Sequence, residues 1–87
     1  MKLKENAQIN RAYLSLGSNL GDKSGNLNNA IELLKERAGE VLAISAFYET
    51  EPDGFVSENS FVNIALSLDT KLDAFALLDV CEEIERE

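Results

Sequence analysis

The stretch "SFVNIALSLD", residues 60–69, alternates without a break. Val62, Ile64, Leu66 and Leu68 fall on one face, while Phe61, Asn63, Ala65 and Ser67 fall on the other. A period of two is the signature of a β-strand. One of its faces is wholly aliphatic and must be covered by an apolar layer. The other is mixed and can stay open. A sheet covered on one side only points to a two-layer α+β arrangement.

The rest of the chain supplies the cover. Arg11 to Leu16 alternate as well, with Ala12, Leu14 and Leu16 on one face and Tyr13 and Ser15 on the other, which predicts a first strand. From about Asn26 the period changes: Leu27, Ala30, Ile31, Leu34 and Ala38 recur at helical spacing, and Gly39 is a natural stop. "EVLAISAFYE" reads as one long strand, and "TEPDGFVSEN" as a turn-rich loop. Ala74, Leu77, Leu78, Cys81 and Ile84 predict a second helix with Asp73 as its N-cap. The order is β-α-β-β-α, with a hairpin across residues 50–60. That is the ferredoxin-like, split-βαβ order with its last strand missing. Residues 1–10 are polar and read as a flexible N-terminus, and residues 11–87 as the folded unit. The helical pattern runs on into "EEIERE" without a cap, so the last helix reads as cut short.

Composition narrows the function. The 87 residues suit a single domain with a thin core. Eight basic residues against sixteen acidic ones give a net charge of −8, which repels a nucleic-acid backbone. No apolar run approaches the ~20 residues of a membrane span, and "MKLKENAQIN" lacks the apolar core of a secretory signal. One cysteine, Cys81, leaves no internal disulfide and suits a reducing cytoplasm. Its place on an apolar helical stripe reads as core packing, not chemistry. With no histidine, His-based triads and His metal sites are excluded.

"GSNLGDKS", residues 17–24, follows the first strand and resembles a phosphate-cradling P-loop, G-x-x-x-x-G-K-[ST]. Gly17, Lys23 and Ser24 stand at the right offsets, but Asp22 occupies the second glycine position. A carboxylate there would face the phosphate. A P-loop also needs a parallel sheet, and this pattern offers a hairpin.

The mixed face of the "FVNIALSLD" strand is more informative. Asn63 points the same way as Phe61. An amide on a central strand either bonds neighbouring loop backbone or reads the edge of a planar ring stacked on Phe61. The "YETEPDGF" loop could close over such a ring. Glu82 and Glu85, three apart on the last helix, are either a solvated face or hydrogen-bond acceptors for a substrate.

Together "YLSLGSNLGD", "FYETEPDGF" and "FVNIALSLDT" resemble the 6-hydroxymethyl-7,8-dihydropterin pyrophosphokinase family of folate synthesis, over about Ala12 to Glu85. The resemblance implies a ferredoxin-like fold that transfers diphosphate from ATP to the pterin hydroxymethyl group with two Mg2+ ions. By the same resemblance Gly17 borders the pterin, and Thr50, Pro52 and Asp53 belong to a loop offering backbone contacts. Phe61 stacks on the pterin, Asn63 bonds its edge, and Glu82 and Glu85 contact the nucleotide. Asp53 stands where a hydrophobic residue is usual, and Glu82 where glutamine is usual. The family's arginine-rich loop and its D-x-D metal ligands would lie beyond Glu87. The resemblance therefore implies that these residues carry the pterin-side half of the site, with neither catalytic residues nor metal ligands, and are inactive alone. The partners implied are pterin and ATP, with no nucleic acid and no membrane. An exposed edge on the first strand would favour a homodimer. The competing reading is a non-catalytic α+β binding or dimerisation module.

Overall fold

The computed structural model describes residues 8–51 and 60–86. The elements run β1 (Asn10–Ser18), α1 (Lys23–Arg37), β2 (Gly39–Ile44), β3 (Tyr48–Thr50), β4 (Phe61–Thr70) and α2 (Ala74–Glu85). β4 lies in the middle of a four-stranded sheet, with β1 on one side and β2 and β3 on the other. Among the described residues every pairing is antiparallel. Both helices cover one face, which gives the expected α+β, ferredoxin-like two-layer sandwich.

β4 is central because its aliphatic face is the most demanding in the chain. Ile64 and Leu68 are completely buried, and Leu66 nearly so. α1 answers with Leu27, Ile31, Leu34 and Ala38, and α2 with Leu77. Fully burying one such side chain contributes about 1.5–3 kcal/mol, so β4 against α1 carries most of the core. Ala12, Leu14 and Leu16 of β1 are only half-buried at its margin.

Two connections are held by single residues. The buried Thr70 hydroxyl donates to the Ala38 carbonyl at 2.6 Å and accepts from the Leu72 N–H at 3.0 Å. It thus ties the end of α1 to the turn before α2. Gly39 opens β2 at φ +158, and a Cβ there would run into the Asp69 backbone carbonyl. Only glycine lets the chain leave α1 this close to β4.

The structure corrects the sequence pattern in two places. The single strand expected over "EVLAISAFYE" is two strands, β2 and β3, with a register shift between Val41 and Ala43. The break follows from Ser45. Its backbone N–H donates to the Ala65 carbonyl at 2.8 Å, but its hydroxyl, not a backbone carbonyl, receives the Ala65 N–H at 2.9 Å. A side chain standing in for a ladder acceptor interrupts the strand there. The loop expected over residues 17–25 is also shorter. Gly17 and Ser18 belong to β1, and α1 begins at Lys23 because Asp22 caps it. Most of "TEPDGFVSEN" lies outside the described residues.

Candidate functional site

The open face of the sheet brings three strands to one point. In the β-ladders Gly17 stands opposite Asn63 on one side and Tyr48 opposite it on the other, while Thr50 stands opposite Phe61. Residues directly opposite share a face. Gly17, Asn63, Tyr48, Phe61 and Thr50 therefore form one patch. The Asn63 amide Nδ2 donates to Thr50 Oγ1 at 2.8 Å, with longer approaches of 3.4 Å to the Tyr48 and Phe61 carbonyls. With Nδ2 so engaged, Oδ1 faces Gly17. A Cβ on Gly17 would sit 2.7 Å from Asn63 Oδ1 and 3.3 Å from Phe61 Cδ1. The glycine is needed here for space, not for its backbone angles. The Asn63 nitrogen is held locally, and its oxygen is left toward the open face.

The turn after Gly17 is fastened from α1. The Asp22 carboxylate accepts from the Gly25 N–H at 3.0 Å, the usual N-cap bond. A Cβ on Gly25 would press on that carboxylate, so glycine lets Asp22 keep its capping position. Gly21 takes the left-handed conformation, φ +63, which glycine adopts without strain. Asn26 Nδ2 donates to Ser18 Oγ at 3.1 Å and to the Leu20 carbonyl at 2.9 Å, pinning the turn onto the helix. Lys23 Nζ donates to the Ser60 carbonyl at 2.8 Å, the residue just before Phe61. The P-loop look-alike is thus a helix cap and a clasp on the start of β4. Its lysine is committed to a carbonyl, and among the described residues the sheet has no adjacent parallel strands.

The remaining sequence-derived residues are placed as follows. Glu82 and Glu85 are exposed on the last turns of α2. Glu85 borders a groove that also reaches Gly17 and Ser18, whereas Glu82 does not line it. Pro52 and Asp53 lie outside the described residues. Cys81 packs against the core, and burial pushes its thiol above the ordinary range, helped by the charge of Glu85. At the far end of the open face Arg11 forms a two-point ion pair with Asp69, at 2.6 and 3.3 Å. That hydrogen bonding holds the Asp69 carboxyl below its usual range. The pair is solvent-exposed and contributes little to stability. Among the described residues no group of His, Cys, Asp or Glu side chains is placed to hold a metal ion. Among them, no helix is long and apolar enough to cross a membrane.

Residues 13–87 match the family model of 7,8-dihydro-6-hydroxymethylpterin-pyrophosphokinase (HPPK). The chain belongs to the HPPK family. Curated HPPK relatives named 2-amino-4-hydroxy-6-hydroxymethyldihydropteridine pyrophosphokinase agree. The chain is 48% identical over 75 residues to that of Porphyromonas gingivalis, covering 86% of this chain and 51% of the relative. It is 46% identical over 78 residues to that of Methylorubrum extorquens, covering 88% and 49%. It is 40% identical over 79 residues to that of Bacillus subtilis, covering 90% and 47%. The chain spans about half the length of these HPPK relatives. Every candidate site residue named from the sequence, from Gly17 to Glu85, falls inside the HPPK match.

Three residues of the site escaped the sequence reading. Tyr48 reads from the sequence as the end of a long strand and the start of the "YETEPDGF" loop, not as part of the open face, although its spacing from Thr50 puts both on one face. Lys23 stands at a P-loop offset, and with that motif set aside no sequence pattern reveals its bond to Ser60. Asn26 was read only as the point where the helix begins, and no local pattern reveals that it bonds back to the turn.

Proposed function

We propose that this chain forms the pterin-side half of an HPPK site. In the longer protein, diphosphate passes from ATP to the hydroxymethyl oxygen of 6-hydroxymethyl-7,8-dihydropterin, and AMP leaves, in the cytoplasm. The convergence of Gly17, Phe61 and Asn63 on the open sheet face carries this reading. Phe61 offers a ring on which a flat heterocycle stacks. Asn63 is bonded to Thr50 through Nδ2 and turns Oδ1, an acceptor, toward the ring's amino and N–H edge. Gly17 keeps the floor of the site free of side chain. Pro52 and Asp53, which lie outside the described residues, would contribute backbone contacts to the pterin. Glu82 and Glu85 are acceptors only, so they suit the sugar hydroxyls of the nucleotide better than its phosphates.

Transfer between anionic groups calls for cations such as Mg2+ to neutralise developing charge. The described residues hold no carboxylate cluster fit to bind them, so no step is assigned to metal here. What this half contributes is recognition and orientation of the acceptor. The test is titration of the chain with a fluorescent dihydropterin. Losing the Asn63 amide costs about 1–3 kcal/mol, up to roughly a hundredfold in affinity. Asn63→Ala and Phe61→Ala should each weaken binding on that scale. Unchanged affinity in both variants refutes the assignment.

A further inference from the structure

We propose that Lys23 is a positioning residue: by holding the Ser60 carbonyl it sets where the Phe61 ring stands on the open face. The inference rests on the pterin reading for what the ring receives, but the position of the ring is testable without a ligand.

The ladders stop unevenly at this end of the sheet. β1 is paired with β4 as far as Ser18, opposite Val62. β3 is paired one residue further, with Thr50 opposite Phe61. Among the described residues Phe61 therefore has a strand beside it on the β3 side alone. On the other side the chain has left the sheet for α1. A strand end with one neighbour opens easily, and its backbone sets the direction of its side chains. Lys23 supplies a tie from α1 instead. Its Nζ donates to the Ser60 carbonyl at 2.8 Å, across thirty-seven residues, and both residues are half-buried.

The place of this lysine is unfavourable for a merely solvated charge. A helix N-terminus carries partial positive charge and disfavours a cation, yet α1 opens on Lys23 with no acidic residue in its first turn. The Asp22 carboxylate beside it is engaged by the Gly25 N–H. The ammonium turns to a backbone carbonyl, and a charged donor makes roughly twice as strong a bond as a neutral one. The base of the clasp is fixed as well. Asp22 caps the helix just before Lys23, and Asn26 ties the same turn to Ser18 and Leu20.

What the clasp secures is the aromatic ring. A Cβ on Gly17 would lie 3.3 Å from Phe61 Cδ1, so the ring stands close against the glycine. A flat heterocycle stacks only on a ring held in one orientation. Lys23 thus acts on the site through Phe61.

Lys23→Met keeps the stem and removes the donor, whereas Lys23→Arg restores a donor. Nuclear magnetic resonance of the 87-residue chain should show an Overhauser contact between the Phe61 ring and the Gly17 α-protons. That contact should disappear in Lys23→Met and persist in Lys23→Arg, with circular dichroism unchanged in both. Titration with a fluorescent dihydropterin should then show Lys23→Met binding about tenfold more weakly than the parent, and Lys23→Arg within about twofold of it. In a Phe61→Ala background Lys23→Met should add less than about twofold, because the ring it acts through is gone. A ring contact that is absent from the parent, or that survives in Lys23→Met, overturns the proposal. So do effects of the two substitutions that simply multiply, or loss of the fold in Lys23→Met, which would make the clasp a support for the sheet at large. A parent chain that binds no dihydropterin refutes the pterin reading alone, and the ring contact then decides the role of Lys23.

Discussion

The lack of room for a side chain at Gly17, against Asn63, makes a prediction with a change of sign. A methyl group at Gly17 would lie 2.7 Å from Asn63 Oδ1, well inside the ~3.5 Å at which heavy atoms rest. In Gly17→Ala the amide must therefore move. Rotating it about 30° off its rotamer costs about 0.5–1.5 kcal/mol. Swinging it away forfeits the bond to Thr50, a net loss of about 0.5–1.5 kcal/mol. Against this, alanine restricts the unfolded chain and returns about 0.4–1 kcal/mol. The balance is a destabilisation of about 1 kcal/mol. In an Asn63→Ala background the obstructing oxygen is gone. Only the 3.3 Å contact with Phe61 remains, which a small ring adjustment relieves. Gly17→Ala should then be neutral or stabilising by about 0.5 kcal/mol. Urea unfolding followed by far-ultraviolet circular dichroism resolves this, since slopes of ~1 kcal/mol per molar turn such differences into clear midpoint shifts. Additive effects, within about 0.5 kcal/mol, mean that the two residues do not meet as described.

Asp22→Gly completes the P-loop pattern in "GSNLGDKS", yet calorimetric titration with ATP should show no gain in affinity, because Lys23 holds the Ser60 carbonyl. Stability should fall by only a few tenths of a kcal/mol, as glycine is itself tolerated at an N-cap. Thr70→Val strands the buried Ala38 carbonyl and the Leu72 N–H, so urea midpoints should report a loss of about 1–3 kcal/mol. An effect below about 0.5 kcal/mol would place the tie between α1 and α2 elsewhere. Burial raises the Cys81 thiol, so folding favours its neutral form. That contribution is whole below the unfolded thiol's pKa and is lost as pH rises through the folded value. Maleimide labelling at pH about 8 should be slower in the folded chain than in urea, and equal rates would refute the burial.

What the sequence made legible is what depends on local period and capping. The aliphatic face of Val62, Ile64, Leu66 and Leu68 could be read directly because one strand buried on one side writes its environment at every second residue. It implied the helical cover, and with it the open face on which Phe61 and Asn63 had to stand. Asp73 was recognisable as a cap because the bond it makes, to Ala76, is three residues away. Asp22 makes the same bond to Gly25, but a competing motif over the same residues masked it. The features that were missed depend on partners distant in the chain. Ser45 breaks its strand only because Ala65 donates to it from twenty residues on, and Lys23 becomes a clasp only because Ser60 lies within reach. Gly17 marks the boundary between the two kinds. Its type hinted at a turn, whereas its reason is the Asn63 oxygen forty-six residues later. A glycine in a strand, with ordinary backbone angles and a polar side chain where its own would be, is therefore a stronger pointer to this site than the loop that follows it.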